Sequence, residues 1–209
     1  MFNDESDLQA ALLTLVCPGL LIACRQIAAE DGEGLWPEET GVFRNSVPKV
    51  RRQSGAVRIV ARDLMHSLGH VPAAIPRVRG GPPRWPDGLI GSLAHDAEFA
   101  VAALSTTIRY RGLGIDIEPA IPLPQGLEAR VATPEEQQRY APDLLSSRLL
   151  FVVKEAVYKA VNPIDRVPLG FQDIQVDLEA MTCRTTSGWE VGIRYITGPS
   201  ICALAVLKN

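Results

Sequence analysis

Cysteine and histidine are scarce, with four and three copies in 209 residues. Cys17, Cys24, Cys183 and Cys202 form no CxxC pair and no grouping with histidine. That pattern excludes a zinc-ribbon site and a disulfide framework, and suits free thiols in a reducing cytosol. Long apolar runs are also missing, and no stretch reaches the roughly 20 residues needed to span a bilayer. The apolar segment 8–24 follows Asp4, Glu5 and Asp7, where a secretory signal needs positive charge, and Pro18-Gly19 interrupts it. A cytoplasmic protein with no membrane contact is expected. Nor is there an excess of positive charge: 21 Lys and Arg stand against 24 Asp and Glu. A net charge of −3 gives no reason to expect nucleic acid as a partner.

What is present is ordinary globular composition, 46% hydrophobic and 22% charged, long enough for one large domain or two small ones. The charges are unevenly placed. Residues 44–84 hold nine Lys or Arg against one acid, Asp63, which suggests a local basic surface for a compact anionic ligand. The pattern predicts a strand at 20–25, a helix at 49–69 ended by Gly69 and Pro72, and a Pro/Gly/Arg-rich loop at 72–88. Strands are expected at 89–93, 98–104 and 112–118. Thr133-Pro134-Glu135-Glu136 reads as a helix start, with a longer helix from about 146 stopping before Pro163. Further strands are expected at 171–178, 188–196 and 200–207. Helices with antiparallel strands in both halves indicate an α+β fold.

Three segments carry candidate chemistry. In Gly112-Leu113-Gly114-Ile115-Asp116-Ile117-Glu118-Pro119, strand alternation sends Asp116 and Glu118 to one face, roughly 7 Å apart. A hard divalent cation such as Mg2+ would bridge them, and Gly112 and Gly114 would admit a ligand close to the backbone. The octamer reads equally as a surface strand with two solvated acids. On the helix around Lys154-Glu155-Ala156-Val157-Tyr158-Lys159, Arg148, Glu155 and Lys159 form a stripe apart from the apolar face. An i, i+4 pair such as Glu155/Lys159 usually only stabilises a helix. Here Phe151, Val152 and Tyr158 border the stripe, which suggests a groove needing a metal and a phosphate as partners. On the 49–69 helix Arg51, Arg58 and Arg62 share a direction suited to phosphate recognition, or form a solvated basic face. In Gly91-Ser92-Leu93-Ala94-His95-Asp96, Ser92 and His95 could donate to phosphate.

Together with Trp85-Pro86-Asp87-Gly88, these motifs resemble the phosphopantetheinyl transferase superfamily, in its monomeric type serving nonribosomal peptide, polyketide and siderophore synthases. They occur in the family's order over residues 44–177, with the GIDIE and KExxxK segments some 35 to 40 residues apart. The resemblance implies a pseudo-dimer of two similar α+β halves with coenzyme A in the cleft between them, the N-terminal half spanning 1–111 and the C-terminal half 112–209. It implies magnesium bound by Asp116, Glu118 and Glu155. Arg58, Arg77, Ser92 and His95 match contacts to the nucleotide and its phosphates, Lys49 or Arg51 a further basic contact, and Lys154 and Lys159 lysines near the phosphates. Glu155, directly or through water, would take the proton of a carrier-protein serine, and Lys159 would offset phosphate charge. The segment departs from the family pattern at Gln53-Ser54, Val57, Ala94 and Asp96. A CoA- or nucleotide-binding protein without transfer activity is the alternative.

Overall fold

The computed structural model describes residues 4–140 and 144–209. Apolar alternation builds two antiparallel sheets, each backed by one long helix. In chain order the first part comprises α1 (Glu5–Leu13), β1 (Leu20–Gln26), two 3-10 segments (Ala29–Gly34 and Pro37–Phe43), α2 (Pro48–Ser67), β2 (Leu89–His95) and β3 (Phe99–Thr106). The second comprises β4 (Tyr110–Pro119), α3 (Glu128–Val131), α4 (Pro134–Tyr140), α5 (Leu144–Asp165), a 3-10 turn (Phe171–Asp173), β5 (Ile174–Asp177), β6 (Thr182–Thr185), β7 (Glu190–Ile196) and β8 (Ser200–Lys208).

The sheets run β1-β3-β2 and β4-β8-β7-β6-β5. Both use one recipe: a strand, a long helix, then a hairpin whose last strand inserts beside the first. β1, α2, β2 and β3 thus correspond to β4, α5, β7 and β8, and the β5–β6 hairpin extends the second sheet past β7. This is an α+β fold with an internal structural repeat. One apolar cluster joins the halves, because Ile115 and Ile117 of β4 pack with Leu8, Leu12, Ile22 and Val101. The Ser92 hydroxyl accepts the Ile115 amide proton at 3.0 Å and ties β2 to β4.

Several elements differ from the sequence pattern. α5 continues through Pro163 to Asp165, because a proline in the last turn costs only one ladder bond. The 171–178 segment opens as a 3-10 turn before β5, and the short β6 lacks a long apolar run to announce it. α1 lies where the sequence suggested only an apolar stretch. Asp4 caps it by accepting the Asp7 amide, and Leu8 and Leu12 bury its inner face. All four cysteines are free and buried. Among the described residues no helix is long and apolar enough to cross a membrane.

Candidate active site

Gly112, Gly114, Asp116 and Glu118 share one face of β4, and α5 lies against that face. A Cβ on Gly114 would sit 1.9 Å from the Ala156 carbonyl oxygen, and one on Gly112 would sit 2.5 Å from that of Ala160. The two glycines therefore admit the helix backbone, not a ligand as their place beside the acids suggested. Ala156 and Ala160 complete the close crossing. Its consequence is chemical: the next turn of α5 brings Lys159 to Asp116 and leaves Glu155 beside them.

Lys159 Nζ lies 2.6 Å from Asp116 Oδ1 and also donates to the Ile115 carbonyl at 3.1 Å and the Leu93 carbonyl at 3.4 Å. Asp116 is buried, and its Oδ2 is the one buried side-chain polar atom without a partner among the described residues. Glu118, half-buried, pairs with Arg148 at 3.4 Å, and Arg148 also donates to the Ile121 carbonyl. Glu155 makes no hydrogen bond or ion pair with the described residues. All three carboxyls titrate above their ordinary range. Burial is the main cause for each; the Asp116 charge adds to it for Glu118 and Glu155, while Lys159 opposes it for Asp116 and Glu155.

Across the gap, β2 and α2 supply the opposite wall. Arg58 is buried, donating from Nε to the Ile75 carbonyl at 3.0 Å and from Nη1 to the Ser54 carbonyl at 2.9 Å. His95 lies at the exposed end of β2, with Nδ1 3.3 Å from the Asp96 carbonyl, and partial desolvation there lowers its pKa. Asp116, Glu155, Lys159, Ser92, His95, Arg58 and Arg77 all line one cleft of about 460 Å3 between the halves. That volume falls within the range of small-molecule sites.

Other expected residues lie elsewhere. Lys49 is exposed and Arg51 half-buried near the start of α2, outside the cleft lining. Arg62 is neutralised by Glu39 at 3.0 Å and stacks over Trp36. Asp96 is no stray acid: its Oδ1 accepts the Glu98 and Phe99 amides at 2.7 Å each and shapes the β2–β3 turn. Lys154 departs most. Its side chain is wholly buried, with Nζ 2.6 Å from Glu136 Oε2 and donating to the Val131 and Phe171 carbonyls. Glu136 in turn accepts the Thr133 and Val176 amides, so this pair locks α4 and β5 onto α5. Leu150 and Val157, one turn to either side, carried the signal that Lys154 points inward.

Residues 28–105 match the 4'-phosphopantetheinyl transferase N-terminal domain, and residues 112–192 match the 4'-phosphopantetheinyl transferase superfamily. The chain belongs to that superfamily. It is 37% identical over 151 residues to 4'-phosphopantetheinyl transferase Svp of Streptomyces mobaraensis, covering 69% of this chain and 61% of that protein. It is 38% identical over 157 residues to 4'-phosphopantetheinyl transferase PptT of Mycobacterium tuberculosis, covering 73% of this chain and 67% of that one. Enterobactin synthase component D of Salmonella typhi is 33% identical over 151 residues, covering 68% of this chain and 61% of that protein. The matched region thus spans about three fifths to two thirds of these relatives.

A divalent cation is implied by the superfamily resemblance, and the residues present suit one. Among the described residues no group of three or more Asp, Glu, His or Cys side chains stands close enough together to hold a metal ion, so the expected set of Asp116, Glu118 and Glu155 is not drawn into one three-ligand site. Asp116 Oδ2 is nevertheless buried without a partner among the described residues, and burial together with the Asp116 charge raises the proton affinity of Glu155, which lines the cleft, and of Glu118, which lies outside its lining. Such an all-oxygen donor set matches Mg2+, which keeps positions for phosphate and water.

Proposed function

We propose that this chain transfers the 4'-phosphopantetheine arm of coenzyme A to a serine of an acyl or peptidyl carrier protein, releasing 3',5'-ADP. The carriers would be domains of nonribosomal peptide, polyketide or siderophore synthases, modified by a monomeric cytoplasmic enzyme. The observation that carries the reading is the α5–β4 crossing, which sets Glu155, without a side-chain partner among the described residues, beside Asp116 and Lys159 at the floor of the cleft.

In this reading residues 1–111 hold the nucleotide and its phosphates, with Arg58, Arg77, Ser92 and His95 facing the ligand. Residues 112–209 supply the reacting groups. Asp116, Glu118 and Glu155 would hold Mg2+, which would neutralise phosphate oxygens and polarise the phosphorus for attack. Glu155, without a hydrogen-bond partner among the described residues and with raised proton affinity, accepts the proton of the carrier serine. The serine oxygen forms a bond to the phosphorus attached to pantetheine, and the bond from that phosphorus to the bridging pyrophosphate oxygen breaks. Lys159, oriented by Asp116 and two carbonyls, keeps a positive charge at the cleft floor as the leaving group gains charge.

The test is incubation with CoA, Mg2+ and several apo carrier proteins, read by intact mass. Gain of one phosphopantetheine on a carrier supports the reading. Mg2+-dependent CoA binding without any mass gain would favour the alternative of a binding protein.

A further inference from the structure

The 3-10 segment Pro37–Phe43 lies outside the cleft lining, yet it touches two of the three arginines that line it, Arg58 and Arg77. Glu39 is 1% exposed. Its Oε1 accepts the Ile75 amide proton at 2.7 Å and a proton from Arg62 Nη1 at 3.0 Å, and lies 3.7 Å from Arg58 Nε. Its Oε2 accepts the Trp36 amide at 2.8 Å. Because Arg58 donates to the Ile75 carbonyl, that one residue is gripped at both backbone groups, its N–H by Glu39 and its C=O by Arg58. Two residues further on is Arg77, which bridges to Pro83 at the base of a flap closed by the Arg84 amide donating to the Pro76 carbonyl at 2.8 Å.

Phe43 ends the same segment and is buried. The Arg58 guanidinium carbon lies 5.1 Å from its ring centroid and that of Arg77 lies 5.7 Å from it. One aromatic ring therefore serves both of these cleft arginines. Arg58 and Arg62 share the single carboxylate of Glu39, and Arg77 brings a third positive charge to the Phe43 ring. Burial, with the charges of Arg77 and Arg62 added, outweighs Glu39 and lowers the Arg58 pKa to about 10. Arg58 Nη2 makes no hydrogen bond with the described residues. This surplus of oriented positive charge is what an anion would complete.

We propose that Glu39 and Phe43 are positioning residues that set the directions in which Arg58 and Arg77 meet the phosphates of coenzyme A. They touch no substrate themselves and act only through the two arginines. The inference rests on the cleft being the CoA site.

The experiment is steady-state transfer kinetics with wild type, Phe43→Leu, Glu39→Gln, Arg77→Met and the Phe43→Leu/Arg77→Met double variant, each first checked for folding by circular dichroism. Phe43→Leu should raise KM for CoA roughly three- to thirty-fold with kcat within about twofold, the size expected for lost cation–π contacts. Its effect should shrink in the Arg77→Met background, since one of its two clients is gone. Repeating the series with CoA lacking the 3'-phosphate separates the two phosphate sources. A penalty that disappears assigns the arginines to the 3'-phosphate, and one that persists assigns them to the pyrophosphate. A folded Phe43→Leu with unchanged KM, or with a penalty fully additive to that of Arg77→Met, overturns the inference while leaving the functional reading standing. Should Glu39→Gln fail to fold, the Phe43 series decides alone. Wild type that neither transfers the arm nor binds CoA sinks the functional reading, and this inference with it.

Discussion

Asp116 gives one carboxylate oxygen to Lys159, 2.6 Å from Nζ, and keeps the other buried without a partner among the described residues. A half-satisfied buried carboxylate is costly unless a cation completes it. The first prediction follows from that cost. Because folding raises the pKa of Asp116, Glu118 and Glu155, the metal-free folded state holds these protons more tightly than the unfolded chain does. Their contribution is fully present below the ordinary carboxylate range and is lost as pH rises through the raised values. Thermal melts in a chelator should therefore show this part of the stability falling as pH rises from about 4. Mg2+ should raise Tm at neutral pH, and raise it less in acid. Asp116→Asn should remove the Mg2+ response; a full response in that variant would rule out Asp116 as a ligand.

Glu155→Gln should stop carrier modification while leaving the protein folded. The glutamate has no hydrogen-bond partner to lose among the described residues and its ionised form is desolvated, so metal-free Tm should stay level or rise. For a chain of this size about 1 kcal/mol corresponds to roughly 2–4 °C. Unchanged turnover would remove Glu155 from the role of base.

Lys154→Met should act on stability rather than on CoA recognition. Removing one partner of a buried pair costs about 3–5 kcal/mol, here because Glu136 would stay buried with only the Thr133 and Val176 amides. A Tm loss of roughly 6–20 °C is expected. Lys154→Met combined with Glu136→Gln should recover part of it. A stable single variant with a raised KM for CoA would place Lys154 in the phosphate site instead.

Gly114→Ala should break the site from behind. The added methyl would meet the Ala156 carbonyl, and backbone cannot yield as a flexible side chain does. A cost of about 1–3 kcal/mol or more is expected, with loss of transfer even below the melting temperature, because Lys159 and Glu155 move with α5. Wild-type activity and Tm would show that the helix does not need this approach.

Much of the site was legible because its periodicities are local. The two acids of β4 share a face by alternation alone, and Glu155 with Lys159 share a helical stripe by the 3.6-residue repeat. The strands β1 to β4 and the helices α2 and α5 announced themselves through long apolar patterns. Short elements did not: β6 and the two 3-10 segments lack enough residues to show a period. Glu39 and Phe43 were missed for that reason, although Trp36-Pro37-Glu38-Glu39 carries a proline and acids suited to a helical start.

The sequence by itself determined which groups travel together: two carboxylates on one strand face, a glutamate and a lysine on one helix face, and three arginines along another helix. Backbone geometry repeats within a few residues, so no distant contact is needed to deduce such sets. Only the tertiary structure decided how those sets meet. It turned Gly112 and Gly114 towards a helix rather than a ligand, drew Lys154 into the core with Glu136, and covered Arg58 and Arg62 with a segment from earlier in the chain. Whether a charge is buried, and against what, depends on contacts dozens of residues apart, and no local pattern records them.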